Sequence, residues 1–347
     1  MLDRLAISMR ASHVLAILLL AAALCLAALG AALDDSFYLR LGTEALIFAG
    51  LALSVDLLLG YSGALSLGQA LYFGIGAYVS ALTLMTVPSF WLAMAAAGLA
   101  TLVAATIGGL IANRVRGVYF ALITFGMAQV VAKVVYNTRE LGASDGMIGI
   151  PVVQIQFGPF AISAGNPVGF FLIVLAIIMG LYGLSAYLLE TPFGRVLTAL
   201  KANERRVPFL GYSVWRARMA VYVFAGLVAG LSGALYPVLR GFVSPELMFF
   251  ATSGNAVISV ILGGVGTLIG AIYGAVLLVI LKSIIGSWTE HHLIVIGLLF
   301  MLCVMFLPKG LVGFSRPWIE RRIVRVPSQE VTASAVSPAI AKSRSAS

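Results

Sequence analysis

The chain has 347 residues, 61% of them hydrophobic and 10% charged, with a formal net charge of +9. A soluble globular domain usually carries about 25% charged residues, so an ordinary soluble enzyme or binding module is excluded. The basic excess sits in one loop and at the two ends rather than in an aromatic-interleaved patch. That argues against nucleic acid and for topology and anionic membrane lipid as its cause.

Several apolar runs approach the ~20 residues needed to cross a bilayer, and the alternation of a membrane β-barrel strand is absent. The expected fold is an all-α polytopic membrane protein with about ten transmembrane segments and both termini cytoplasmic. Residues 1–12 form a cytoplasmic N-terminus. Arg4 and Arg10 then precede an apolar run that imitates a signal peptide but continues to Leu33, so it reads as an uncleaved first helix. The segments fall at about 13–33, 42–60, 64–86, 90–112, 118–137, 168–189, 217–240, 253–263, 267–284 and 288–307. Together they make a transmembrane domain over 13–313. Residues 314–347 read as a basic cytoplasmic tail, expected to be disordered because it lacks an apolar period.

The eighth and ninth segments are short and meet at Leu262-Gly263-Gly264-Val265-Gly266-Thr267. One span there would put the arginine-bearing tail outside. Splitting the stretch restores an even count, and a re-entrant pair has the same parity. Residues 138–167 form an external loop rich in Gly and Pro, with an extended piece over Val152–Phe157.

Glu190–Arg218 is the one long basic loop, placed in the cytoplasm by its charge. Thr191 and Pro192 read as a helix start, with Thr191 capping the first free amides. Phe193, Val196, Leu197 and Leu200 recur at helical spacing, and Pro208 and Gly211 interrupt the pattern. One or two short helices outside the bilayer follow. They suit docking to another protein or, equally, a solvated basic loop.

Within the membrane, Asp56 costs on the order of 3 kcal/mol on insertion scales and must face protein or water. It is either a proton relay or, more simply, a helix-end residue bonded to backbone amides near Gly60. The run from Gly60 to Gln69, with Ser66 and Gly68 in it, is either a tight packing site or a broken helix whose free backbone lines a path. Ser253 and Asn255 either bond across helices or line the same path. Cys25 and Cys303 lie in apolar segments and give no disulfide framework or zinc spacing. His291-His292 is an adjacent pair whose side chains point about 100° apart, so no metal site is expected. No phosphate-binding G-x-x-x-x-G-K-[ST] loop and no nucleophile–base set is present, so no catalytic residue is expected.

FGRVLTALKANE at 193–204, LGYSV at 210–214 and FAGLVAGLSGALYPVLRGFVSPE at 224–246 resemble the coupling loop and following span of ABC-importer permeases. The resemblance is to the branched-chain amino acid permease family of the LivM type. GYSGALSLGQALYFGIGAY at 60–78 resembles its signature G-Y-x-G-x-x-S-L-G-[HQ]-x-x-F-x-G-x-G-A-Y. RGVYFALIT at 116–124, GASDG at 142–146 and PKGL at 308–311 also resemble its motifs, so the likeness covers about 44–313.

The resemblance implies a subunit importing branched-chain or related amino acids across the bacterial inner membrane by alternating access. Its partners would be a second permease subunit, two cytoplasmic ATPase subunits and a periplasmic substrate-binding protein. ATP and Mg would be bound by those ATPases, with no cofactor on this chain. Phe193, Gly194, Arg195, Lys201, Glu204 and Gly211 would couple to the ATPases. Asp56, Ser66, Gly68, Gln69, Ser253, Asn255, Gly263 and Gly264 would be candidates for the translocation path. Pro208 departs from the family's usual helix-forming residue, which speaks against one continuous coupling helix. The alternatives are a urea or short-amide permease of the same family and, from another class, an ion-coupled secondary transporter working through Asp56.

Overall fold

The structure is a computed structural model that describes residues 15–28, 30, 36–157 and 160–288, with 294, 295, 297, 298, 301, 305 and 310–313. The two terminal stretches at 1–12 and 314–347, His291-His292 and most of the segment expected at 288–307 lie outside the described residues.

The described chain is mostly helical. Its helices are α1 (Leu15–Ala28), α2 (Ser36–Asp56), α3 (Gln69–Thr86), α4 (Phe90–Ala112), α5 (Val118–Asn137), α6 (Pro167–Glu190), α7 (Pro192–Asn203), α8 (Val214–Gly233), α9 (Tyr236–Arg240), α10 (Phe250–Gly263) and α11 (Ile269–Trp288). Among the described residues, six helical stretches are long and apolar enough to cross a membrane: Ser36–Ser62, Phe90–Ala112, Val118–Asn137, Pro167–Glu190, Val214–Arg240 and Ile269–Ser287. α1 and α10 are shorter apolar helices.

α2 is the axis of the bundle. It packs against α6, α8, α10 and α11, and from Ala45 to Asp56 nearly every side chain is buried. From Ala45 to Val55 its residues are apolar or small on every face, as a helix surrounded by protein requires. α3 packs against α4 and α8 on the other side. Small residues permit this closeness. A Cβ on Gly76 of α3 would lie 2.0 Å from the carbonyl oxygen of Gly230 in α8, and one on Gly230 would meet Thr101 of α4 at 2.2 Å.

Two expected spans are interrupted. The third begins as a helix only at Gln69, not at residue 64. Gly63 takes φ +71° and ends the preceding helix, and the Leu67 N–H donates to Thr124 Oγ1 instead of to a helical carbonyl. The seventh breaks after Gly233, where a Cβ would lie 1.9 Å from the Phe73 carbonyl oxygen, and resumes as α9 with Pro237 in its first turn.

The 138–166 stretch carries three of the four short strands among the described residues. β1 (Met147–Ile148) pairs antiparallel with β4 (Phe242–Val243), joining this loop to the chain after α9. β2 (Gln154–Phe157) and β3 (Phe160–Ser163) form a hairpin with Ile155 opposite Ile162, so the extended piece foreseen at Val152–Phe157 is β2. Asn166 Oδ1 then accepts from the Val168 and Gly169 N–H groups and starts α6.

Candidate functional site

Three features come together from sequence-distant elements. The first is a buried junction at one end of α2. There the helix widens into a π-turn, Leu57–Ser62. Asp56 is fully buried, and its two oxygens are both used. Oδ1 accepts from the Gly266 N–H at 2.6 Å, and Oδ2 from the Leu268 N–H at 2.8 Å. These amides belong to the turn between α10 and α11, not to the stretch near Gly60. Gly60 is beside them all the same: a Cβ on it would lie 2.4 Å from Asp56 Oδ1 and 2.6 Å from Gly266 Cα.

That turn needs its glycines. Gly264 has φ +117° and Gly266 φ +79°, values that side-chain-bearing residues resist. Leu268 sits at φ +53°, held there by the Asp56 hydrogen bond. A Cβ on Gly263 would fall 1.7 Å from the Gly270 carbonyl oxygen, and one on Gly310 would fall 2.5 Å from Gly264 Cα. Backbone therefore meets backbone on both sides of the turn.

The second feature is the 190–213 segment. α7 stops at Asn203 and a tight 3-10 helix, Glu204–Leu210, contains Pro208, so the segment is two pieces rather than one. Thr191 stands at the start of α7 without capping it. Its hydroxyl donates backward to the Leu188 carbonyl at 2.6 Å, because α6 runs almost directly into α7. Gly194 permits that corner, since a Cβ there would meet the Leu189 carbonyl oxygen at 2.0 Å. Val196, Leu200, Val207 and Ala217 form a small core of their own, with Phe193 packed against it.

Lys201 leaves this unit and donates from Nζ to the Gly60 carbonyl at 2.6 Å. Glu204 Oε1 lies 3.3 Å from Arg116 Nε and 3.5 Å from Arg218 Nη1, two close Coulombic contacts. Gly211 closes the 3-10 helix at φ +80°, and nothing lies within 4 Å of where its Cβ would be. Arg195 is exposed beside an open cavity of about 280 Å³ lined by Pro192, Val196, Val207 and Leu210. Around this cavity and Gly211 large apolar side chains stand in the open: Phe209 is 90% exposed, Leu210 64% and Trp215 48%. Sequence reading missed this patch and the partners of Glu204. The signal for the patch was present, since P-F-L-G-Y and Val214-Trp215 put aromatic residues inside a polar loop.

The third feature is the interrupted start of α3. Ser66 and Gln69 are buried. Ser66 Oγ accepts from the Gly68 N–H at 3.3 Å and from Gln69 Nε2 at 3.5 Å. A Cβ on Gly68 would meet the Thr124 carbonyl oxygen at 2.4 Å. Ser253, near the start of α10, accepts from the Ala70 N–H at 3.1 Å. Two helices thus begin side by side inside the protein, the arrangement used at polar sites within membranes. Asn255 lies on another face, in a larger cavity with Glu44, Arg240 and Lys282. Lys133 lies over the Tyr136 ring at 4.6 Å.

Broken helices, an intramembrane carboxylate bonded to a backbone turn and a folded basic segment beside the spans fit a membrane permease. Among the described residues no group of three His, Cys, Asp or Glu could hold a metal. The chain belongs to the family described as branched-chain amino acid transport system / permease component, whose model matches residues 37–304. It is 29% identical over 302 residues to the high-affinity branched-chain amino acid transport system permease protein LivM of Salmonella typhimurium, and likewise of Escherichia coli K12, covering 81% of this chain and 71% of each relative. It is 22% identical to LivH of Escherichia coli K12, covering 79% of this chain and 93% of that one. It is also 28% identical to the ribose import permease protein RbsC of Bacillus subtilis, over 41% of this chain and 45% of that one. No solved structure gives a significant match.

Proposed function

We propose that this chain is one permease of an ABC importer for branched-chain amino acids in the bacterial inner membrane. It works with a second permease, two cytoplasmic ATPase subunits and a periplasmic substrate-binding protein. The observation that supports this best is the 190–213 segment, which has its own core, exposes Phe209, Leu210 and Trp215, and is tied by Lys201 to Gly60. Exposed aromatic residues beside a concave apolar surface suit a protein partner, because solvent-facing loops seldom keep such side chains.

The same contacts give a route for force. Displacement of α7 pulls on the Gly60 carbonyl through Lys201. Gly60 touches Gly266, and Asp56 holds the Gly266 and Leu268 amides. Motion imposed on the segment therefore reaches the α10–α11 turn through the Lys201 hydrogen bond, the Gly60–Gly266 backbone contact and the Asp56 hydrogen bonds. Both Asp56 oxygens accept backbone N–H bonds, which leaves the carboxylate poorly placed to carry a proton in an ion-coupled transporter.

Right-side-out vesicles from cells expressing the chain with its proposed partner subunits, loaded with ATP and given the binding protein outside, test the reading. Uptake of L-leucine should require the ATPases and ATP and should survive a proton ionophore. Uptake without the ATPases would overturn it.

A further inference from the structure

A cavity of about 640 Å³ opens between α2, α9, α10 and α11, at the end of α2 opposite Asp56. Its volume falls within the range of roughly 300–1,000 Å³ typical of small-molecule sites. Glu44 of α2 and Arg240 of α9 are ion-paired across it through Glu44 Oε2 and Arg240 Nη2, at 2.5 Å. Lys282 of α11, half-buried, lines the same space and feels the Glu44 charge without pairing to it. Among the described residues its ammonium has no hydrogen bond or ion pair, and neither has the amide of Asn255 nor the second oxygen of Glu44. Phe48 and the buried Leu278 supply an apolar wall.

A lysine inside an apolar span is costly unless it faces water, a partner or a ligand. Snorkelling would place it on the lipid side, whereas here it shares a cavity with charges from two other helices. Arg40 of α2 also lines the cavity, so three cations face the single carboxylate of Glu44, which pairs with Arg240, and the site lacks a carboxylate to match the excess. The unused acceptor on Glu44 and the amide of Asn255 stand nearby, and the rest of the wall mixes Thr252, Ser259 and Ser283 with apolar side chains.

We propose that this cavity holds a zwitterionic α-amino acid with an apolar side chain. Lys282 takes the ligand carboxylate, Glu44 and Asn255 take its ammonium, and Phe48 and Leu278 face its side chain. The inference rests on the importer reading and adds to it a substrate station within this subunit.

The test uses the importer complex purified through a tag on the full chain, in lipid nanodiscs without binding protein, and titrated with radiolabelled L-leucine. Leucine should bind saturably, and leucinamide, which lacks the carboxylate, should fail to compete. Loss of a charge-assisted hydrogen bond in Lys282→Met should weaken binding about tenfold or more, with Lys282→Arg recovering most of it. Absent leucine binding, equal competition by leucinamide, or unchanged binding by a Lys282→Met complex of normal elution profile would overturn the cavity assignment. ATP-dependent leucine uptake by the same purified wild-type complex, reconstituted into sealed liposomes with binding protein, separates the two readings. If uptake is intact, only the cavity assignment falls; if uptake is absent, the importer reading falls.

Discussion

The Asp56 carboxylate and the Gly266 amide, 210 residues apart, meet in a 2.6 Å hydrogen bond at the buried end of α2. The bond explains why a charged side chain occurs at the fully buried end of α2. The α10–α11 turn exposes amide groups that have no helical partner, and a carboxylate is the side chain able to accept two of them at once. Removing it leaves those donors buried and unpaired, at about 1–3 kcal/mol each. Asp56→Ala should therefore lower the thermal midpoint of the detergent-purified chain and cut its yield, with Asp56→Asn, which keeps one acceptor oxygen, falling between. A thermal unfolding series by size-exclusion fluorescence checks the order. An Asp56→Ala midpoint equal to wild type would show the turn to be held by other contacts.

Two glycines of α10 should respond oppositely to the same methyl group. A Cβ on Gly263 falls 1.7 Å from the Gly270 carbonyl oxygen, whereas nothing lies within 4 Å of one on Gly254. Gly263→Ala must push α10 from α11 and should abolish most leucine uptake. Gly254→Ala should transport normally, with a small gain in helix propensity. Gly264→Leu, at φ +117° and against Gly310, should fail like Gly263→Ala. The measurement is initial uptake rate per inserted protein, and equal rates for Gly254→Ala and Gly263→Ala would refute the close contact.

Gly211 makes a cleaner case of backbone strain. Its surroundings are open, so Gly211→Val meets no clash and suffers only from φ +80°. Glu204→Lys places a third cation between Arg116 and Arg218. Both should lose ATP-dependent uptake while still inserting. Phe209→Asp should weaken co-purification with the ATPases without touching the loop's own core. If all three variants retain the ATPases and transport leucine normally, the segment is a solvated connector only.

Topology can be read by thiol labelling. A cysteine at Ser144, in the 138–166 stretch, should react in intact cells with a membrane-impermeant reagent. One at Thr198 in α7 should resist until the membrane is opened. Labelling of the Thr198 site from outside would invert the orientation proposed from the charge pattern.

Sequence alone determined the membrane class and most helix positions, because hydrocarbon imposes long apolar runs that composition displays directly. It placed α4 and α5 at the residues observed, and it marked Gly211 and the 262–267 glycines as breaks, because glycine reaches the positive φ that other residues resist; Pro208, marked with them, lies inside the 3-10 helix. What it left open were relations between distant segments. Nothing near Asp56 in the chain announces the Gly266 and Leu268 amides, and nothing near Thr191 shows that its hydroxyl turns back to Leu188. Glu44, Arg240 and Lys282 stand on three separate helices and nothing in the sequence joins them, although a lysine inside a span was a signal that could have been followed. Only the packing of α2 against α10 and α11 brings them to one cavity, since a side chain's chemistry is written in the sequence but its neighbours are fixed by which helices lie side by side.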